Sequence, residues 1–210
     1  MPTPKAGYRD AQGNKLPGVT TILGAHKDAG GMIWSAWDLG KQGRDYQKEW
    51  KRAADIGTCV HAKIQASIER KPQEHDHEEA ICNLAGAPHA SFLEWAKGRA
   101  WPGRCEIGLV HPLGYGGTLD YYEPGLILDW KSSKNLYSEV WAQVAGYSML
   151  IEEHFKEVPN CKVVRFPKEG GPAEELDIIA GSPKARAGKA LFLGLFEAYK
   201  AKKVIEAKEK

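Results

Sequence analysis

The sequence predicts an α/β or α+β fold. Three observations point there. Helical patterns occupy most of the first hundred residues, strand-like runs joined by turn residues come in close succession after Arg104, and a helix, further strands and a terminal helix follow. Residues 1–31 are rich in Gly and Pro and show little periodicity, apart from the short segment Val19-Thr-Thr-Ile-Leu23. Helices are expected over roughly 33–52, 56–70 and 77–98, with breaks at Gly57 and at Lys71-Pro72. Strands are expected at Cys105–His111, Tyr115–Glu123 and Leu126–Lys131, turned by Pro112-Leu113-Gly114 and by Pro124-Gly125. Val140, Val144, Tyr147 and Ile151 fall at helical spacing, which predicts a long helix from about Tyr137 to Phe155. Two strands near Lys162–Phe166 and Glu174–Ile179 precede a last helix from about Pro183 to Ala207. No repeat or interdomain linker is visible, so the expectation is a single domain over 1–210. Its first part, about 1–100, is mainly helical, and its core spans about 104–207.

Composition excludes several classes. With 42% hydrophobic and 27% charged residues, the chain is neither disordered nor fibrous. No apolar run is long enough to span a membrane, and the first residues lack a signal-peptide core, so the expected compartment is the cytoplasm. Cys59, Cys82, Cys105 and Cys161 show no paired spacing and read as reduced thiols. A net charge of +2 does not by itself announce nucleic acid, but its distribution is uneven. Lys41, Arg44, Lys48, Lys51 and Arg52 form one cluster, and Lys200, Lys202, Lys203, Lys208 and Lys210 crowd the C-terminal run. The second run reads first as a solvated helix face.

The chemistry is carried by the hairpins. Four acid-x-Lys triplets occur, close to the number chance supplies, but only Asp129-Trp130-Lys131 ends a strand-like run. If Pro124 and Gly125 are the central turn residues, Asp120 lies opposite Asp129, with Cβ atoms ~5 Å apart on one face. Alternation brings Lys131 to that face and sends Leu126, Leu128 and Trp130 to the other. Folding the preceding pair about Leu113 puts Glu106 opposite Asp120. Three carboxylates and a lysine then line up across three strands. Like charges so placed repel unless a hard divalent cation lies among them, which points to Mg²⁺ or Mn²⁺.

Gly57-Thr-Cys-Val-His61, Glu106, Gly117-Thr-Leu-Asp120, Asp129-Trp-Lys131 and Gln143-Val-Ala-Gly-Tyr147, in this order, resemble the RecB-type branch of the PD-(D/E)XK nucleases. The likeness covers about residues 16–150 and includes Leu16-Pro-Gly-Val-Thr-Thr-Ile22, which is similar to the opening of phage and mitochondrial genome-maintenance exonucleases. The resemblance implies a restriction-endonuclease-like core, with a mixed sheet flanked by helices. It also implies a metal-dependent DNA exonuclease acting on single strands or ends in phage or bacterial recombination, repair or replication. On that resemblance Asp120, Asp129 and His61 are metal ligands for one or two Mg²⁺ or Mn²⁺ ions. Lys131 is the catalytic lysine, Glu106 a further acidic site residue, and Gln143 and Tyr147 face the site from the next helix. DNA is the implied partner, with room for a single-strand-binding or recombination protein beside it. Relatives with an iron–sulfur cluster use a C-terminal cysteine trio; only Cys161 follows the catalytic block here, so no cluster is expected. Cys59 and His61 with Cys82 and Cys105 match no standard zinc spacing.

Trp34, Trp37, Tyr46 and Trp50 interleave with Lys41, Arg44, Lys48 and Lys51, a pattern that suits stacked bases and neutralised phosphates. The same tryptophans read equally well as core with charged backs. Two further readings stand beside the exonuclease. One is a structure- or site-specific endonuclease of the same fold, and the other is an inactive DNA-binding module.

Overall fold

The computed structural model describes residues 7–26, 30–73, 78–133 and 135–207; Lys208, Lys210 and the predicted helix start at His77 lie outside them. A two-stranded ribbon, β1 (Tyr8–Arg9) and β2 (Lys15–Leu16), opens the chain. The helices α1 (Val19–Gly24), α2 (Gly30–Lys41), α3 (Tyr46–Glu69), α4 (Glu79–Leu84) and α5 (Gly86–Trp95) follow. The meander β3 (Arg104–His111), β4 (Tyr115–Glu123) and β5 (Leu126–Lys131) leads into α6 (Glu139–Phe155). Then come β6 (Asn160–Arg165), β7 (Glu174–Ile178) and α7 (Pro183–Glu206). The five strands form one mixed sheet in the order β3-β4-β5-β6-β7. Only β5 and β6 run parallel, because α6 carries the chain back to the starting edge between them.

The helical half departs from expectation in one respect that positions the site. The break falls at residues 42–45 and not at Gly57. Gly43 takes φ +70°, and the Asp45 carboxylate accepts the N–H groups of Gln47 (2.9 Å) and Lys48 (3.3 Å), which caps a new helix. Gly57, with its small helix penalty, then sits inside the 24-residue α3. The ribbon β1–β2 was too short to leave a periodic signal. Tyr8 lies where a Cβ on Gly116 of β4 would come 2.3 Å from its ring, so glycine is required there.

Both hairpin registers agree with the predicted turn centres. Tyr121 pairs with Leu128 and Glu123 with Leu126; Cys105 pairs with Tyr121, Ile107 with Leu119 and His111 with Tyr115. Two cores cover the sheet's faces. Leu119, Tyr122, Ile127 and Val163 pack with Val144, Tyr147 and Leu150 of α6 and Phe192 and Phe196 of α7. Tyr121, Leu128, Trp130 and Phe166 pack with Cys59, Val60 and Ile64 of α3 and Phe92 of α5. Trp95, Trp101 and Trp130 meet in this second core at centroid separations of 5.8–6.3 Å. Leu119 and Tyr121, two residues apart, lie in opposite cores, so the alternation of β4 breaks at Asp120. Its would-be partner Glu106 is missing from the ladder and takes φ +52°, a left-handed conformation rare outside glycine.

Other expectations resolve locally. No α2 residue is buried, and Trp34 and Trp37 are 64% and 57% exposed, so these two are not core. Lys41 Nζ stands 4.5 Å over the Trp37 ring, while Arg44 pairs with Glu49 at 2.7 Å. In the C-terminal run Lys200 pairs with Glu197 and Lys203 with Glu206, as befits a solvated helix face. The thiols of Cys59 and Cys82, unrelated by spacing, come together with Sγ atoms 3.6 Å apart.

Candidate active site

The distortion of β4 builds the site. Where the strands part, the Asp120 carboxylate takes the place of a backbone acceptor: its Oδ2 receives the Trp130 N–H at 2.7 Å. Its Oδ1 lies 3.1 Å from His61 Nδ1 on α3. Asp120 is fully buried, which favours its neutral form, yet His61 first, then Lys131 and the Trp130 amide, hold its pKa below the ordinary value.

Glu106 completes a tight group. One ligand atom from each of His61, Glu106 and Asp120 lies within 4.8 Å of the others. Glu106 Oε2 is buried with no hydrogen-bond partner among the described residues. Burial, and then the Asp120 charge, push the Glu106 pKa up to about 8. A carboxylate in a strained backbone conformation, buried next to a second carboxylate and leaving an oxygen unsatisfied, is costly without a counter-charge. Two carboxylates and an imidazole fit a divalent cation with borderline to hard preferences.

Asp129 and Lys131 stand beside this group. Lys131 Nζ lies 2.5 Å from Asp129 Oδ2, a close ion pair. Gln143 of α6 donates to Asp129 Oδ1 (3.3 Å) and to the Tyr147 hydroxyl (3.1 Å). Burial raises the pKa of Asp129, against Lys131 and with Asp120, and it raises that of Tyr147 well above its ordinary value. Gln143 and Tyr147, one turn apart, therefore work as a connected pair. The other one-turn pair behaves differently: Gln65 donates to Glu69 and not toward His61.

Asp120, Asp129, Lys131, Glu106, His61, Gln143 and Tyr147 thus converge, with Asp129 tied to Lys131 and outside the tightest group. Trp34, Trp37, Lys41 and Arg44 belong to α2 and its following turn and line no part of the cleft in front of the site. In front of the site lies a cleft of about 560 Å³ that His61, Lys131 and Gln143 help to line. Lys168, Ser132, Ser133 and Thr20 line it too. Thr20 belongs to the Leu16–Ile22 segment noted in the sequence, whereas Lys168, Ser132 and Ser133 carry no motif, and the only signal for the two serines is nearness to Lys131. Comparison with protein-family models and with curated proteins finds no match. Among solved structures the chain is similar to a candidate exonuclease from Eubacterium rectale, at 12% identity over 73% of this chain and 69% of that one, with a TM-score of 0.49. It is also similar to an alkaline exonuclease from Laribacter hongkongensis, at 12% identity over 74% of this chain and 92% of that one, with a TM-score of 0.33. Likenesses of this order assign neither family nor activity to the chain, and the roles of its residues rest on their own geometry.

Proposed function

We propose that the chain is a Mg²⁺- or Mn²⁺-dependent deoxyribonuclease of the PD-(D/E)XK kind, acting as one domain on DNA ends or single strands. The observation that carries this reading is the His61–Glu106–Asp120 group, Asp120 buried and the other two half-buried, set against the Asp129–Lys131 pair. His61, Glu106 and Asp120 would hold the cation, with Asp129 adjacent. When bound, such an ion polarises the phosphoryl group and lowers the pKa of water. The chain's own residues then have separable tasks. Lys131 presents a cation to the charge that develops on the transferring phosphoryl group. Asp129 holds that ammonium in place, Gln143 fixes the carboxylate, and Tyr147 fixes the amide. The exposed Trp34 and Trp37 with Lys41 offer stacking and phosphate neutralisation for a strand beyond the cleft.

The test is a cleavage assay on 5′- and 3′-labelled single- and double-stranded DNA. The expected result is degradation from an end with Mg²⁺ or Mn²⁺ and none in excess EDTA. Full activity in chelator would overturn the metal mechanism, and internal cuts on closed circles would replace the exonuclease with an endonuclease.

A further inference from the structure

The cleft holds more anion-binding chemistry than one phosphoryl group requires. We propose that Lys168, with the Ser132 hydroxyl, forms a second phosphate subsite that grips the phosphodiester next to the one being cut, while the Ser133 hydroxyl holds the loop by donating to the Asn135 carbonyl at 2.7 Å. This rests on the nucleic-acid reading of the site given above. The charges around the cleft support it first. No acidic side chain lines the cleft; Asp120 and Asp129 lie buried behind it. The cationic neighbours on β6 are already engaged, Lys162 with Glu175 and Asp177, and Arg165 with Glu174. No ion pair is found for Lys168 among the described residues, although it lines the same cleft as Lys131.

The placement is also fixed. Phe166 is fully buried and its N–H donates to the Lys131 carbonyl at 2.8 Å, so the segment bearing Lys168 is tied to the catalytic strand. A turn closed by Gly170 N–H on the Pro167 carbonyl (3.0 Å) presents the lysine. Arg165 Nη1 donates to the Ser133 carbonyl at 3.2 Å and pins the facing hydroxyl segment. Finally, α3 contributes Ala53 and Ala54 to the cleft and so leaves its width free. A space of about 560 Å³ is of the scale that takes a nucleotide-sized ligand, not a single phosphate.

The experiment compares Lys168→Ala and Lys168→Arg with wild type. Binding of a fluorescent oligothymidylate is measured by anisotropy in Ca²⁺ from about 50 to 200 mM salt. Hydrolysis is measured on the oligonucleotide and on the p-nitrophenyl ester of thymidine monophosphate, which carries no second phosphodiester. For Lys168→Ala we expect about 5- to 20-fold weaker oligonucleotide binding and a salt slope shallower by about 0.7, the value of one single-strand phosphate contact. KM should rise more than kcat falls, the loss on the oligonucleotide should exceed that on the ester by about 5-fold or more, and Lys168→Arg should recover most of the affinity. Unchanged affinity and slope would overturn the proposal, as would equal losses on both substrates. Lys168-dependent binding without any hydrolysis would uphold the subsite and remove the nuclease reading. Failure of the wild type to bind the oligonucleotide would remove both.

Discussion

A carboxyl group buried beside another carboxylate keeps its proton unless a cation compensates. Glu106, with its pKa near 8 against an ordinary 4.5, therefore binds a proton in the folded chain that the unfolded chain has released. The sign follows from linkage: a raised folded pKa contributes stability at acidic pH that is lost as pH climbs through the folded value. Asp129 shifts in the same direction, whereas the lowered Asp120 loses its contribution only on acidification below its ordinary range. In EDTA, the melting temperature should fall between roughly pH 5 and pH 8, and Glu106→Gln should flatten that fall. Melts at stepped pH check this; an equally steep fall in the variant would separate Glu106 from the effect. Lys131 makes a different demand. Lys131→Ala should lower kcat by ~10²-fold or more while oligonucleotide affinity in Ca²⁺ stays within a few-fold, because its charge matters most in the transition state. Equal losses of binding and turnover would make Lys131 a phosphate-positioning residue. At this scale much could be read in advance. Turn chemistry at Pro124-Gly125 fixes a register, and a register determines which side chains share a face. What a register does not contain is the switch at Asp120, where a side chain replaces a backbone acceptor and the alternation breaks.

Elements hold these residues at their separations. α3 brings His61 to the sheet, and its first turn depends on Asp45. Asp45→Ala should cost ~1 kcal/mol, a fall of about 2–4 °C in melting temperature for a chain of this size, with turnover per folded molecule retained. β4 meets α6 at Gly117, where a Cβ would come 2.8 Å from Leu150 Cδ1 and 2.9 Å from Tyr147 Cε1. Gly117→Ala should destabilise by ~1–3 kcal/mol through overpacking. Because it pushes on Tyr147, it should also lower turnover more than Asp45→Ala does, which steady-state kinetics beside melts would resolve. The strands were legible because polar turn residues punctuate apolar runs. The start of α3 was not, because Gly57 is the more conspicuous breaker in sequence, while the real boundary is set by a capping hydrogen bond and a left-handed Gly43. α2 could be read as core or as surface, since tryptophans at helical spacing look alike in either setting until packing decides.

The whole molecule is a sheet between two cores, and the site draws on both sides: His61 from the α3 face, Gln143 and Tyr147 from the α6 face. A cation bound only by the folded chain must then stabilise all of it. Millimolar Mg²⁺ or Mn²⁺ should raise the melting temperature above that in EDTA, and Asp120→Asn should abolish the rise; an undiminished rise in that variant would place the cation elsewhere. Lys168 escaped the sequence because it is brought to the cleft by the parallel pairing of β5 with β6, a contact between strands separated by a whole helix. That same pairing has an optical consequence. Trp130 stands between Asp129 and Lys131 in the chain, and its indole lies within 6.3 Å of those of Trp95 and Trp101. Indole transitions held so close couple with one another, so near-ultraviolet circular dichroism carries a signal from the very strand that bears the site. The chain has, in effect, a chromophore built into the strand that bears Asp129 and Lys131, and loosening of β5 should appear there before the helical signal in the far ultraviolet declines.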